Sequence, residues 1–293
     1  MAEHHHHHGH DHAHHGLGAA AAVTVAFALV EALGGWWTSS LALVSDAGHM
    51  LTDAAALLLG ALAAWVARRP PSQRHSYGLG RAEVVAASIN ATVMLVIVVA
   101  LAYESVLRLK SPSPVNGAVA ALIAAVGLAV NLWVLRRLAP HGHDMNTRAA
   151  RLHVIGDVLG SVAALLSGAV IAATGWMPID SLVSLAICVL IAVSAFRLMR
   201  ESLHALMEGV PHGLSVDAIG AEMARVQGVL SVHDLHVWTL SGSRIALSAH
   251  VVVRSFGEWD RMLVDLQHRL HEAFGIDHVT LQPESTTRPL VRY

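Results

Sequence analysis

Long apolar stretches dominate the first two thirds of the chain. Each contains close to or more than the roughly 20 residues that a helix needs to cross the hydrocarbon core of a bilayer. Polar or turn-forming segments such as GGWWTSS, KSPSPVNG and TGWMP separate the stretches. The pattern predicts six transmembrane helices, which cover residues 17–37, 41–67, 84–107, 115–135, 153–173 and 179–196.

The pattern changes after residue 200 to that of a water-soluble domain. Apolar residues recur at helical spacing in 216–227 and 259–274, whereas 229–240, 245–253 and 279–282 are β-rich. The order α-β-β-α-β predicts a small α+β domain of the ferredoxin-like type. The predicted organisation is a disordered His-rich tail at 1–15, an all-α six-helix transmembrane bundle at 16–200 and a cytosolic domain at 201–293.

Composition supports a membrane protein. Of the 293 residues, 54% are hydrophobic and 14% are charged, which is unusual for a water-soluble protein. We therefore expect an integral membrane protein surrounded by membrane lipid. A formal net charge of −2 without a basic stripe argues against a nucleic-acid partner. The single cysteine, Cys188, cannot form an intrachain disulfide.

The loops predict the orientation in the membrane. An even number of spans places both termini on the same side, and Lys and Arg are retained in cytoplasmic loops. The second and fourth loops contain most of the loop arginines: Arg68, Arg69, Arg74, Arg81, Arg136, Arg137, Arg148 and Arg151. Both termini are therefore expected in the cytoplasm.

The first fifteen residues, MAEHHHHHGHDHAHH, are rich in histidine. They lack the apolar core of a signal peptide. The run of five rather than six consecutive histidines favours a native metal-collecting tail over an expression tag.

Two predicted spans contain a histidine and an aspartate at the same spacing. His49 precedes Asp53 by four residues, and His153 precedes Asp157 by four. Side chains four apart lie on one face of a helix, and an unpaired charge in hydrocarbon costs at least about 2.5 kcal/mol. Two imidazoles and two carboxylates around one cation form a tetrahedral set suited to zinc. The alternative is two unrelated polar pairs that only hold helices together.

Other polar residues lie near these two pairs in the sequence. Asp46 and Ser161 extend the two polar faces lengthwise, which suggests an ion path. Asn90 and Asn131 could join this path, although a lone asparagine in a span more often binds a neighbouring helix. Glu31 and Glu104 are predicted at the outer ends of their spans, where an interfacial position explains them.

At residues 16 to 285 the chain resembles the cation diffusion facilitator family, in its zinc-exporting branch. The motifs that carry the resemblance are SDAGHMLTD, HSYGLGRAEVVAASIN, RAARLHVIGDVLGSV, RESLHALMEGVP, VHDLHVWTLSG and HVTLQPE. The resemblance implies that His49, Asp53, His153 and Asp157 hold the transported ion. It also implies that His49, where related members have Asp, favours zinc over cadmium.

The resemblance further implies proton-coupled antiport, and the ligand chemistry provides an independent reason for it. Imidazole binds a metal only when it is neutral, so zinc and protons compete for the histidines. In the cytosolic domain, the resemblance implies a regulatory zinc site at His233, His250 and Glu284. It also implies a homodimer.

These observations favour a Zn²⁺/H⁺ antiporter that exports zinc from the cytosol, predicted in the inner (plasma) membrane of a bacterium. A membrane zinc sensor, a structural zinc protein and a passive metal channel are the alternatives. A zinc hydrolase is disfavoured because the sequence contains no HExxH motif and four protein ligands leave no position for water. The chain is therefore not expected to be an enzyme.

Overall fold

The computed structural model describes the backbone of residues 10–138, 145–241 and 244–285, and the side chains of 22–136, 154–240 and 244–285. The chain divides into two compact units, which are residues 1–58 with 90–197 and residues 59–89 with 198–293. Three of the long helices continue from one unit into the other. Six long helices precede the small domain: α1 at His10–Thr38, α2 at Leu41–Ala67, α3 at Ala82–Lys110, α4 at Gly117–Leu138, α5 at Met145–Thr174 and α6 at Pro178–Leu206.

Helices α2 to α6 are long and apolar enough to cross a membrane, and α1 contributes a shorter apolar segment at Ala22–Thr38. The six predicted spans thus correspond to six helices in order. Helix α1 already includes residues 10–15, which the sequence assigned to the tail, while residues 1–9 lie outside the described part. Helices α5 and α6 extend beyond their predicted spans because apolar windows detect only the part of a helix that fits hydrocarbon.

A tight turn connects α1 to α2, and a side chain from α6 stabilises the start of α2. Ser39 has a φ of 59° between α1 and α2. Asp180, near the start of α6, accepts hydrogen bonds from Ser40 Oγ at 2.6 Å, Leu41 N at 2.6 Å and Ala42 N at 3.3 Å. The first backbone N–H groups of a helix have no partner within the helix. Asp180 therefore caps α2 from a distant part of the sequence.

Small residues allow α4 and α5 to pack closely. A Cβ placed on Gly117 would lie 2.7 Å from the carbonyl oxygen of Gly168, and one on Gly168 would lie 2.6 Å from the backbone nitrogen of Ala121. Close backbone approach at small residues is a common way for membrane helices to associate. The contact keeps α5, which carries Asp157, against α4.

The second unit contains the small α+β domain. Its elements are α7 at Val216–Ala224, β1 at Val229–Ser241, β2 at Arg244–Val253, α8 at Trp259–Phe274 and β3 at His278–Ser285. Strand β2 is central, antiparallel to β1 and parallel to β3. The order αββαβ is that of a ferredoxin-like fold without its first strand. The predicted order of elements is confirmed.

Both helices of this domain cover one face of the sheet. The buried side chains of α7 and α8 pack against the strands in one core, whose members include Ile219, Met223, Leu247, Val251, Leu266 and Leu270. Helix α8 ends at Phe274 and is capped by Gly275, whose φ of 66° is accessible to glycine at little cost. The chain then turns directly into β3 and its metal-ligand candidate, Glu284.

Candidate metal sites

Helices α2 and α5 bring three candidate ligands together in the first unit. One ligand atom each from His49, Asp53 and Asp157 lies within 4.8 Å of the others. His49 Nδ1 is 3.3 Å from Asp53 Oδ2, as the spacing of four residues along α2 predicts. Asp157 reaches the same place from α5 and is only 2% exposed. One nitrogen and two oxygens from two membrane helices thus face one another.

His153, the fourth predicted ligand, lies on α5 one helical turn before Asp157. Its side chain lies outside the described residues, so its part in the site stays a prediction. The three described ligands fit zinc, which binds imidazole nitrogen and carboxylate oxygen. A second imidazole would complete a tetrahedral set.

A buried polar network adjoins this transport-site cluster. Ser161 Oγ donates to Asp46 Oδ2 at 3.2 Å, and Asn131 Nδ2 donates to Ser161 Oγ at 3.0 Å. Gly160 makes room for this network because a Cβ there would overlap the carboxylate of Asp46. The predicted extension of the polar faces is therefore present for Asp46, Ser161 and Asn131. Asn90 instead donates to Met94 Sδ on its own helix.

Glu31 does not occupy the predicted interfacial position. It is 0% exposed, and neither carboxylate oxygen has a hydrogen-bond partner among the described residues. Gly127 on α4 leaves the space for it, since a Cβ on Gly127 would lie 2.5 Å from Glu31 Oε1. The interfacial position was predicted because Glu31 lies near the end of an apolar stretch. The prediction is wrong because α1 packs against α4 there. Glu104, by contrast, is partly exposed and pairs with Arg108 at 2.9 Å.

The small domain contains the second predicted cluster. Glu284 Oε2 is 2.9 Å from His233 Nε2, and Glu284 Oε1 is 2.6 Å from His250 Nδ1. His233 and His250 are paired across β1 and β2, and both rings reach Glu284 on β3. The three residues can supply three ligand atoms within 4.8 Å. The structure brings together all three residues that the sequence proposed.

Asp234 is a neighbour of this cluster that the sequence did not single out. It lies in a β-bulge between His233 and His236 with a φ of 50°. Its Oδ2 is 3.7 Å from His250 Nε2, and its Oδ1 is 3.0 Å from His236 Nε2. A bulge redirects side chains locally. The irregular register, which single-sequence patterns do not reveal, explains why it was missed.

Hydrogen bonds and charges around this cluster favour ionised carboxylates. The hydrogen bond from His233 holds the pKa of Glu284 below its usual value, and the bond from His250 acts in the same direction. The hydrogen bond from His236 lowers the pKa of Asp234 similarly. Both carboxylates are therefore in the form that binds a cation at neutral pH.

The pKa of Glu284 leads to a prediction for the metal-free protein. Because its folded pKa is depressed, the carboxylate stabilises the fold above its unfolded pKa of about 4.3, and this contribution is lost as pH falls through the folded pKa. Full-length Glu284→Gln protein in chelator should thus unfold at a lower temperature than wild type at pH 6. The difference should narrow as the pH is lowered through the depressed folded pKa of Glu284. Thermal unfolding across this pH range measures it.

Glu272→Gln is the matched control because Glu272 is exposed on α8 and has no ion pair among the described residues. It should leave the unfolding temperature unchanged at both pH values. A Glu284→Gln deficit that persists at low pH would contradict the assigned role of the carboxylate charge.

Two family models match the chain and together cover most of it. The cation efflux transmembrane domain matches residues 17–207. The cation efflux protein cytoplasmic domain matches residues 211–286. The first match includes all four predicted ligands of the transport-site cluster, and the second includes His233, His250 and Glu284.

Curated relatives match along nearly the same length. The zinc transporter ZitB of Escherichia coli is 40% identical over 265 residues, which cover 88% of this chain and 83% of that protein. The cadmium, cobalt and zinc/H⁺-K⁺ antiporter of Bacillus subtilis is 36% identical, with 88% and 85% covered. The metal cation efflux system protein CzcD of Cupriavidus metallidurans is 36% identical, with 88% and 82% covered.

Among solved structures, the metal-bound C-terminal domain of the CzcD transporter from Cupriavidus metallidurans is 32% identical to this chain. The match covers 24% of this chain and 99% of that one, with a TM-score of 0.23.

Proposed function

This chain belongs to the cation diffusion facilitator family of cation efflux proteins, and we propose that it exports zinc across a membrane in exchange for protons. The family consists of transporters, so the alternative of a membrane hydrolase is excluded. The ion is cargo in this function, bound on one side of the membrane and released on the other.

The observation that carries the proposal is the meeting of His49, Asp53 and Asp157 inside membrane helices. Ionisable groups within membrane spans are costly and mark ion paths. Their ligand set is suited to zinc, and His153 completes it in the proposed transport site. The E. coli relative is a zinc transporter by name, which agrees with this cargo.

Competition between zinc and protons supplies the coupling. Imidazoles and carboxylates bind zinc only in their deprotonated forms. Protons entering from outside therefore release the ion, and a deprotonated site that faces the cytosol accepts the next one. The B. subtilis relative is named as an antiporter for protons, potassium and several divalent metals. A relative that matches most of this chain is thus named for antiport.

The location and assembly belong to the same proposal. We place the chain in a bacterial inner membrane with both termini in the cytoplasm, on the basis of the arginines in the second and fourth loops. The match to the cytoplasmic domain of cation efflux proteins supports a homodimer. His233, His250 and Glu284 would then bind regulatory zinc on the side from which zinc is exported.

Zinc flux into proteoliposomes under an imposed pH gradient tests the proposal. We expect flux to follow the gradient in the wild type, to cease when a protonophore removes the gradient, and to be absent in Asp157→Ala. Zinc binding without flux would instead indicate a sensor or a structural site. Flux that ignores the pH gradient would indicate a channel.

A further inference from the structure

The second unit contains a cavity of about 860 Å³ that is lined by the ends of α2 and α3, the loop between them, Glu208, and Trp238 and Leu240 on β1. This volume lies within the range of about 300–1,000 Å³ that small-molecule sites occupy. One wall is apolar and the mouth is basic. The residues that define these two parts are Leu62, Val85 and Ile89 on the wall, and Arg74, His75 and Arg81 at the mouth. None of the residues that line the cavity belongs to either metal cluster.

The apolar wall is built from helices that qualify as membrane spans. Leu62 is 56% exposed, Val85 45% and Ile89 50%, so these side chains present hydrocarbon to whatever fills the cavity. In a bilayer, their natural neighbours are acyl chains. The wall is therefore suited to the tail of a lipid.

An aromatic anchor marks the level of the membrane interface beside the cavity. Trp65 is exposed near the end of α2, and the guanidinium of Arg69 lies 4.8 Å from the centre of its ring. Trp is enriched where hydrocarbon meets headgroups, and arginine stacks on its face. The basic mouth of the cavity follows Arg69 in sequence and so lies where headgroup phosphates are found.

The mouth carries positive charge that the protein does not neutralise. Arg81 is paired with Glu208 at 2.9 Å. Arg74 is exposed and has no ion pair in the described part of the chain. The segment from residue 68 to 81 contains four arginines and no acidic residue. Basic residues at the cytoplasmic ends of spans attract anionic lipids.

The loop that holds Arg74 has a defined shape. His75 N and Ser72 N each donate to the other residue's carbonyl oxygen, at 3.1 Å and 3.0 Å. Gly78, with a φ of 80°, donates from its N–H to the carbonyl oxygen of His75 at 2.9 Å. Pro70 and Pro71 restrict the backbone before it. Arg74 is thus held at the mouth rather than on a freely moving linker.

We propose that this cavity binds one anionic phospholipid, with its phosphate at Arg74 and an acyl chain along Leu62, Val85 and Ile89. A soluble phosphate compound would leave the apolar wall uncovered. A lipid without net charge would leave the charge of Arg74 uncompensated. An anionic phospholipid matches both parts of the cavity.

Native mass spectrometry of the full-length protein tests the proposal. The protein is exchanged into detergent with equal amounts of phosphatidylglycerol and phosphatidylcholine, and retained lipid is counted. We expect wild type to retain phosphatidylglycerol preferentially by about fivefold. Arg74→Gln should lose this preference, Arg74→Lys should keep most of it, and Val85→Trp, which fills the cavity, should retain less of both lipids.

Arg200→Gln is the matched control, since Arg200 is exposed near the end of α6 and does not line the cavity. It should behave as wild type, and unfolding temperatures show that each variant is folded. Equal retention of the two lipids by wild type, or an unchanged preference in Arg74→Gln, would overturn the proposal. Displacement of phosphatidylglycerol by inorganic phosphate alone would also overturn it. The same holds if Val85→Trp changes the oligomeric mass of the protein but retains as much of both lipids as wild type.

Discussion

Zinc transport by Asp53→Asn is expected to fall about 30- to 150-fold. Protein zinc sites with four ligands bind with about 10 kcal/mol or more, so the loss of one ligand costs about 2–3 kcal/mol. Asparagine has the shape of aspartate but lacks its charge, and Asp53 is only partly buried. The helix should therefore remain intact while zinc affinity falls. Equilibrium zinc binding and proteoliposome flux, measured on the same preparation, test this expectation.

Glu104→Gln is the control for this substitution because Glu104 is also an acidic residue on a membrane helix. Its partner is Arg108, and it does not belong to the metal cluster. Its flux should remain close to that of wild type. If Asp53→Asn transported zinc at the wild-type rate, the cluster of His49, Asp53 and Asp157 would not be the transport site.

The helices could be predicted where the sequence marks their ends sharply. Helix α2 occupies residues 41–67 as predicted, between the polar segment TSS and the start of RRPP. Helix α8 likewise begins at Trp259 and ends at Phe274, directly before Gly275. Helix α5 begins earlier than its apolar stretch, because its first turns are polar and helix formation does not require hydrocarbon.

The candidate ligands could be predicted where helical spacing alone brings them together. His49 and Asp53 share one face of α2 by virtue of their spacing. Contacts that depend on how helices or strands pack were missed. Glu31 is buried because α1 packs against α4, and Asp234 reaches His250 because of a bulge. Asp180 belongs to the same class, since nothing near it in sequence indicates that it caps α2.

Asp180→Ala is expected to destabilise the first unit by about 3–5 kcal/mol. Asp180 is 2% exposed and accepts bonds from Ser40, Leu41 and Ala42. Alanine would leave these buried donors without an acceptor, and an unsatisfied buried group loses its hydration without compensation. Thermal unfolding of the full-length protein in detergent should show a fall in midpoint on the order of 10 °C.

The same substitution should also weaken zinc binding, because His49 lies on α2 only a few turns beyond the cap. Ser40→Ala separates the two effects. It removes the hydroxyl that donates to Asp180 and accepts from Leu43 N, and it leaves the carboxylate on the backbone N–H groups of Leu41 and Ala42, so its cost should be about 1 kcal/mol. Asp180→Asn keeps the volume and one acceptor oxygen, so only part of the donors lose their partner, and its cost should lie between those of Ser40→Ala and Asp180→Ala. An Asp180→Ala protein as stable as Ser40→Ala would mean that α2 is held by its packing alone. Lower zinc affinity in Asp180→Ala than in Ser40→Ala would show that the cap positions the transport site.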